Sequence, residues 1–179
     1  MTRPQHWSLA LAGILAAAWL ACGCSQDPSQ GYTTASLYPE DVSTVAVPIW
    51  KRGSAVYRRD LERRLTEALI KRIELDTPYK VTDKSKADTL LEGTITAVGQ
   101  RVMSFDPEEG RPRDVEMTIL VDFTWTNLRT GEILVNKQKF RASGVYYPTS
   151  PLDEDSFLGA EDAINQMARR IVEHMEKPW

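Results

Sequence analysis

The sequence predicts an α+β fold, a single antiparallel or mixed β-sheet with two α-helices packed on one face to make an α/β sandwich. Three observations lead there. Val115, Met117, Ile119, Val121, Phe123 and Trp125 are apolar at every second position, with Glu116, Thr118, Leu120, Asp122 and Thr124 between them. That alternation marks a strand with one face on a core and the other largely wet. Two segments, 57–75 and 160–175, carry apolar residues at helical spacing. Finally, the order strand, helix, successive strands, helix lets one sheet cover both helical stripes at once.

The elements follow in chain order. Residues 44–49 alternate, with Val45, Val47 and Ile49 on one face and Pro48 marking the strand's end. After a loop through Gly53, Tyr57, Leu61, Leu65, Ala68 and Leu69 form one helical stripe, with Ile73 at its edge. Asp60 lies in the opening turns, where a carboxylate suits the helix dipole. Pro78 closes this helix, and residues 79–81 are a short strand candidate. Residues 90–102 form a longer strand, with Gly93 and Gly99 as candidate bulge positions. The alternating strand comes next, and the turn from Asn127 to Glu132 returns the chain into a strand over 133–145. A Pro- and acid-rich loop, 148–155, leads to the last helix, whose stripe is Ala160, Ile164, Met167, Ala168, Ile171 and Met175. No internal repeat is present.

The amino terminus reads as an address. Arg3 is followed by an apolar or small run over 9–21 and then by Cys22-Gly23-Cys24. Such a run is shorter than the roughly 20 apolar residues a membrane-spanning helix needs. A basic start, an apolar stretch and a small-residue end describe a secretory signal peptide. The cysteines sit where cleavage would fall, a pattern resembling the lipobox of bacterial lipoproteins, in which the cysteine is acylated. Cys24 is the preferred site and Cys22 the alternative register; a CxC metal or redox pair is the rival reading. The chain then divides into a lipoprotein signal peptide (1–23), a lipidated terminus and tether (24–40) and one α/β domain (41–177). The absence of Asp directly after either cysteine favours the outer membrane, by analogy with the enterobacterial sorting rule.

Composition limits the chemistry. The 179 residues carry 22 Lys and Arg against 25 Asp and Glu, a formal charge of −3. That balance argues against a protein that coats nucleic acid. His6 leaves with the address, so His174, near the carboxyl terminus of the last helix, is the one histidine of the mature chain. Catalysis by nucleophile and histidine, or a metal cage, draws on residue types that are scarce here. No catalytic residue, metal site or cofactor is expected, and the chain reads as a binding protein rather than an enzyme.

Several segments line up with one family. Gly31-Tyr32 behind the cysteines is followed by Val45-Ala46-Val47-Pro48-Ile49-Trp50, and then by Arg59-Asp60-Leu61-Glu62 and Leu65-Thr66-Glu67-Ala68-Leu69-Ile70. Ala87-Asp88-Thr89-Leu90-Leu91-Glu92-Gly93-Thr94-Ile95 and Arg129-Thr130-Gly131-Glu132-Ile133-Leu134 complete the set. In this order they resemble the LPS-assembly lipoprotein (LptE) family across nearly the whole mature chain. Where that family has Cys-Gly-Tyr directly, this chain inserts residues 25–30. The resemblance implies an α/β sandwich held at the periplasmic side of the outer membrane by its lipid. It also implies a place inside an LptD-like β-barrel translocon, contact with lipopolysaccharide, and no catalysis. A periplasmic lipoprotein regulator of a cell-wall synthase or secretion complex is the alternative, and the short tether favours a partner at the membrane.

Lipopolysaccharide carries phosphates and acyl chains, so basic residues beside apolar ones are its natural contacts. Lys137, Lys139 and Arg141 recur at strand spacing and are expected to project from one sheet face. Arg58, Arg59, Arg63 and Arg64 gather at the start of the first helix, and Arg101, Arg111 and Arg113 flank a Pro- and Gly-containing loop. The plainer reading of these charges is a solvated face paired with Glu62 and Glu67. Trp50 and Trp125 are candidate barrel contacts, although Trp125 continues the apolar face of its strand. Asp106-Pro107-Glu108-Glu109 and Asp153-Glu154-Asp155 are read as solvated acidic loops without the spacing of a calcium loop.

Overall fold

In the computed structural model the described residues are 36–108, 110–148 and 152–176. The address, both cysteines and most of the tether lie outside them. The described elements run β1 (Thr44–Ala46), β2 (Lys51–Arg52), α1 (Leu61–Asp76), β3 (Lys80–Val81), β4 (Thr89–Phe105), β5 (Pro112–Asn127), β6 (Ile133–Tyr146) and α2 (Leu152–Glu173). They form one mixed sheet in the order β3-β1-β4-β5-β6, with β2 also paired to β4. β1 is parallel to both β3 and β4, and β4, β5 and β6 are an antiparallel meander. Parallel neighbours need a crossover of a dozen or more residues, which α1 supplies between β1 and β3.

Both helices cover the same side of the sheet, as the amphipathic stripes require. On β5 every odd residue from Val115 to Trp125 is buried and every even one is half-buried. Leu61, Leu65, Leu69 and Ile73 of α1 join the same core, with Ala160, Ala163, Ile164, Met167, Ala168, Ile171 and Val172 of α2. One close approach is at Gly144 on β6, where a Cβ would lie 2.5 Å from the Ala163 backbone nitrogen. The missing side chain at Gly144 therefore lets the backbone of α2 sit almost on the strand. A second tie is polar. Asp88 Oδ2 accepts from Ser43 N (3.1 Å), Thr44 N (3.0 Å) and Thr44 Oγ1 (2.9 Å), which clamps the start of β1 to the start of β4. The turn after β5 is built by buried Asn127, whose Oδ1 accepts from the backbones of Arg129 and Thr130, with Gly131 at φ 75.

Several boundaries differ from the sequence reading. The first strand ends at Ala46, and Ile49 is 67 % exposed instead of facing the core. Pro48 has no N–H to give a ladder, and the chain leaves the edge of β4 between its pairings with β1 and β2. The detour turns Trp50 inward, correcting its reading as an exposed barrel contact. It is 2 % exposed, its backbone N–H donates to Thr66 Oγ1 at 3.1 Å, and its ring stacks with Phe123. Trp125 is equally buried.

α1 starts at Leu61, later than expected, because Asp60 adopts a left-handed conformation (φ 65) at the N-cap without a side-chain cap bond. Tyr57 consequently stands 93 % exposed outside the stripe, while Ile73, placed at the stripe's edge, is wholly buried. The helix stops where Pro78 forces Thr77 into extended backbone. The irregularities of β4 fall at Thr96 and Met103, not at the glycines. Gly93 instead makes room for the Trp50 ring, which a Cβ would meet at 2.6 Å. The acidic run Asp153-Glu154-Asp155 belongs to the first turn of α2 rather than to a loop.

Candidate functional site

The sheet face turned away from the helices carries the unspent chemistry. β5 directs Glu116, Thr118, Leu120, Asp122 and Thr124 there, and the register of its neighbours decides which charges meet. Arg101 of β4 lies opposite Glu116, with Val145 of β6 on the other side and Arg141 opposite Leu120. Glu116 therefore takes both guanidiniums, Arg101 at 3.1 Å and Arg141 at 3.4 Å. A hydrogen bond from the Ser143 hydroxyl, with these two arginines, holds the Glu116 carboxyl below its ordinary pKa. Two exposed cations thus share one largely covered anion. Both guanidinium side chains are more than half exposed, and Arg141 also donates to Thr118 Oγ1 at 3.3 Å.

Beyond this row the β4–β5 hairpin is exposed. Val102, Met103 and Phe105 stand in solvent, as do Val145 at the end of β6 and Tyr147 just after it. Arg111 and Arg113 are exposed at the same end. The tip is closed by Asp106 N–H to Arg111 O at 2.8 Å and by Gly110 at φ 63, and Ser104 hydrogen-bonds to Asp114. Guanidinium groups next to unburied apolar side chains suit a ligand with both anionic groups and hydrocarbon.

The basic row predicted on β6 is broken. Lys137 pairs with Phe123 and Phe140 with Val121, so Gln138 and Lys139 together oppose Asp122 in a bulge. An extra residue reverses the side-chain phase. Lys137 therefore lies on the helical side, next to His174, and Arg141 on the outer side. Lys139 occupies the bulge at φ 51, with its N–H on Asp122 Oδ1 at 2.7 Å. Among the described strands β6 is also an edge of the sheet, and a bulge with lysines is what keeps such an edge from pairing with another chain. Lys139→Gly removes the Cβ that left-handed backbone disfavours. It is expected to raise stability by about 0.5 kcal/mol in a denaturant titration, and Lys139→Val to lower it by about 1 kcal/mol. The same sign for both would show that the bulge stores no strain.

The arginines at α1 do not converge on one point. Arg63 pairs along its own helix with Glu67 at 3.4 Å, Arg64 bridges to Glu161 of α2, and Arg59 is exposed in the segment before the helix. Arg58 is half-buried, and its carbonyl accepts from Arg52 at 3.5 Å. His174 stacks edge-on to Phe140 at 5.0 Å; burial first, then Lys137 and Arg170, lowers its pKa from the usual value. Among the described residues, no group of His, Cys, Asp and Glu is placed to hold a metal ion, and no helix is long and apolar enough to cross a membrane.

The profile of the family described as LptE, lipopolysaccharide-assembly, matches residues 42–176. The chain belongs to the LptE family. The match spans every described strand and helix of the sandwich. Among solved structures, a hypothetical protein of Chlamydia trachomatis, CT253, is similar over 75 % of this chain and 98 % of its own, at 8 % identity and a TM-score of 0.53. That likeness concerns the fold alone. Rare lipoprotein B of Shewanella oneidensis is similar at 18 % identity and a TM-score of 0.48, covering 74 % of this chain and 93 % of its own. Lipoprotein B of Nitrosomonas europaea follows at 16 % identity and 0.47, covering 84 % of this chain and all of its own. Among curated proteins none is significantly similar in sequence.

For this LptE-family member, the residues that sequence reasoning passed over are Glu116 and Ser143. The alternation along β5 points Glu116 outward. Only the cross-strand register reveals that Arg101 and Arg141, 40 positions apart in the chain, share it.

Proposed function

We propose that this chain is an acylated outer-membrane lipoprotein, anchored through Cys24 or Cys22, that seats in an LptD-like β-barrel from the periplasmic side. There it assists the passage of lipopolysaccharide, and its role is binding rather than catalysis. Membership of the LptE lipopolysaccharide-assembly family over residues 42–176 carries the reading. The outer sheet face supports it, because the Arg101–Glu116–Arg141 row and the exposed hairpin put phosphate-binding groups beside apolar ones. A lipid on either cysteine suits a resident of the membrane, since two or more acyl chains hold firmly where one does not.

Extraction in mild detergent followed by capture of the protein tests the partner. A large β-barrel translocon is the expected companion, and a peptidoglycan synthase in its place overturns the reading. For the ligand, the double variant Arg101→Ala/Arg141→Ala is expected to weaken lipopolysaccharide binding by about a hundredfold or more, since charge-assisted hydrogen bonds contribute roughly 1.5–3 kcal/mol each. Both side chains are more than half exposed, so the fold should persist. Unchanged affinity in this variant, with a loss in Lys137→Ala/Lys139→Ala, would move the site to the edge of β6.

A further inference from the structure

A separate cavity of about 320 Å³ opens on the outer face, toward the other end of the sheet from the arginine row. Its walls follow from register. Lys51 of β2 lies opposite Thr94 of β4, which lies opposite Asp122 of β5. One row on, Glu92 opposes Thr124, which opposes Asn136 of β6. The backbones at Gly93 and Phe123 run between the two rows, and Gln138 in the bulge completes the wall. Lys51, where the chain returns to pair with β4, and Gln138 in the bulge of β6 line the cavity from opposite sides.

The side chains of Lys51, Glu92, Thr94, Thr124, Asn136 and Gln138 make no hydrogen bond or ion pair among the described residues, and Asp122 spends one oxygen on the Lys139 N–H. Donors and acceptors of every neutral and charged kind thus converge on one volume with their capacity free. The charge decides the class of ligand. One ammonium stands against two carboxylates, so a phosphate or carboxylate would be repelled, whereas a ring bearing hydroxyl, amide or amine groups finds both donors and acceptors. The volume lies at the lower end of small-ligand pockets and suits one or two sugar rings.

We infer that this cavity is a carbohydrate subsite for a neutral or amino hexose unit. It does not depend on the proposed place in lipopolysaccharide assembly, because the sugars of a glycolipid core and of the cell wall share this chemistry. The buried Phe123 ring faces the core, so no aromatic platform adds to the hydrogen bonds. The expected dissociation constant is about millimolar.

The test is ligand-observed saturation-transfer NMR on the full chain in detergent. The probes are dephosphorylated, deacylated core oligosaccharide and N,N′-diacetylchitobiose, with inorganic phosphate as competitor. Saturation transfer to either saccharide is expected, without displacement by phosphate. Core alone identifies the glycolipid as the source, chitobiose alone the wall glycan. Glu92→Ala and Asn136→Ala, both at exposed positions, are expected to weaken binding about fivefold each, the effect of one lost hydrogen bond. Their circular dichroism should match the parent. The inference is overturned if neither saccharide receives transfer at about 10 mM, well above the expected constant. Equal binding by folded variants, or displacement by phosphate, overturns it as well.

Discussion

Gly144→Val is expected to cost roughly 3 kcal/mol or more and to lower the melting temperature by about 10 °C, read by circular dichroism. The reason is the contact between β6 and α2. A Cβ at Gly144 would lie 2.5 Å from Ala163 N and 2.7 Å from Asp162 Oδ2. The first of these is helix backbone, so no side-chain rotation relieves the clash. α2 must move away from the sheet, and its Ala160, Ala163, Ile164 and Met167, all fully buried, lose contact with β5 and β6. Overpacking a close-packed interior forces such shifts instead of being absorbed. Gly99, at which a Cβ meets nothing within 4 Å, is the internal control, and Gly99→Val should leave the melting temperature nearly unchanged. A Gly144→Val protein melting within about 2 °C of the parent would show that the helix can retreat without loss.

Asp88→Ala is the second large effect, expected to cost about 2–3 kcal/mol near neutral pH. One carboxylate oxygen accepts three hydrogen bonds from Ser43 and Thr44, and Arg129 Nε stands 3.6 Å from the other oxygen. Alanine leaves the two backbone N–H groups at the start of β1 without that acceptor. The Ser43 N–H bond, followed by those of Thr44, holds the Asp88 carboxyl below its ordinary pKa of 3.8. The linkage therefore has a definite sign. The ionised form is favoured in the folded state, so its stabilisation is complete above about pH 4 and disappears as pH falls through the lower folded value. Urea titrations should show a wide gap between parent and Asp88→Ala at neutral pH that narrows in acid. A gap independent of pH would assign the loss to packing instead of charge.

The strands and helices with strong periodicity were legible from residues alone. The alternation from Val115 to Trp125 survives intact because a long central strand packed on one side leaves each side chain one choice of face. The stripe from Ala160 to Met175 is buried for the same reason. Weaker signals failed where a single backbone conformation intervened. Asp60 in a left-handed conformation delayed α1 and stranded Tyr57, and the detour after Ala46 exchanged Ile49 for Trp50 in the core. Neither event leaves a periodic trace, since each is set by how the segment meets α1 and β4.

The candidate site divides in the same way. Arg141 was found by its spacing, but the row it was meant to share with Lys137 and Lys139 does not exist, because one extra residue in β6 reverses the face. The sequence by itself determined the sandwich, its wet and dry faces, the scarcity of catalytic side chains and the family to which the chain belongs. Tertiary structure alone decided which charges meet, namely Arg101 and Arg141 on Glu116, and Lys51, Glu92 and Asp122 around one cavity. Side-chain direction along a strand is a local property with a period of two residues. Register between strands is not local: it is set by bulges, turns and the packing of the helices behind the sheet, and those are settled only when the whole chain closes.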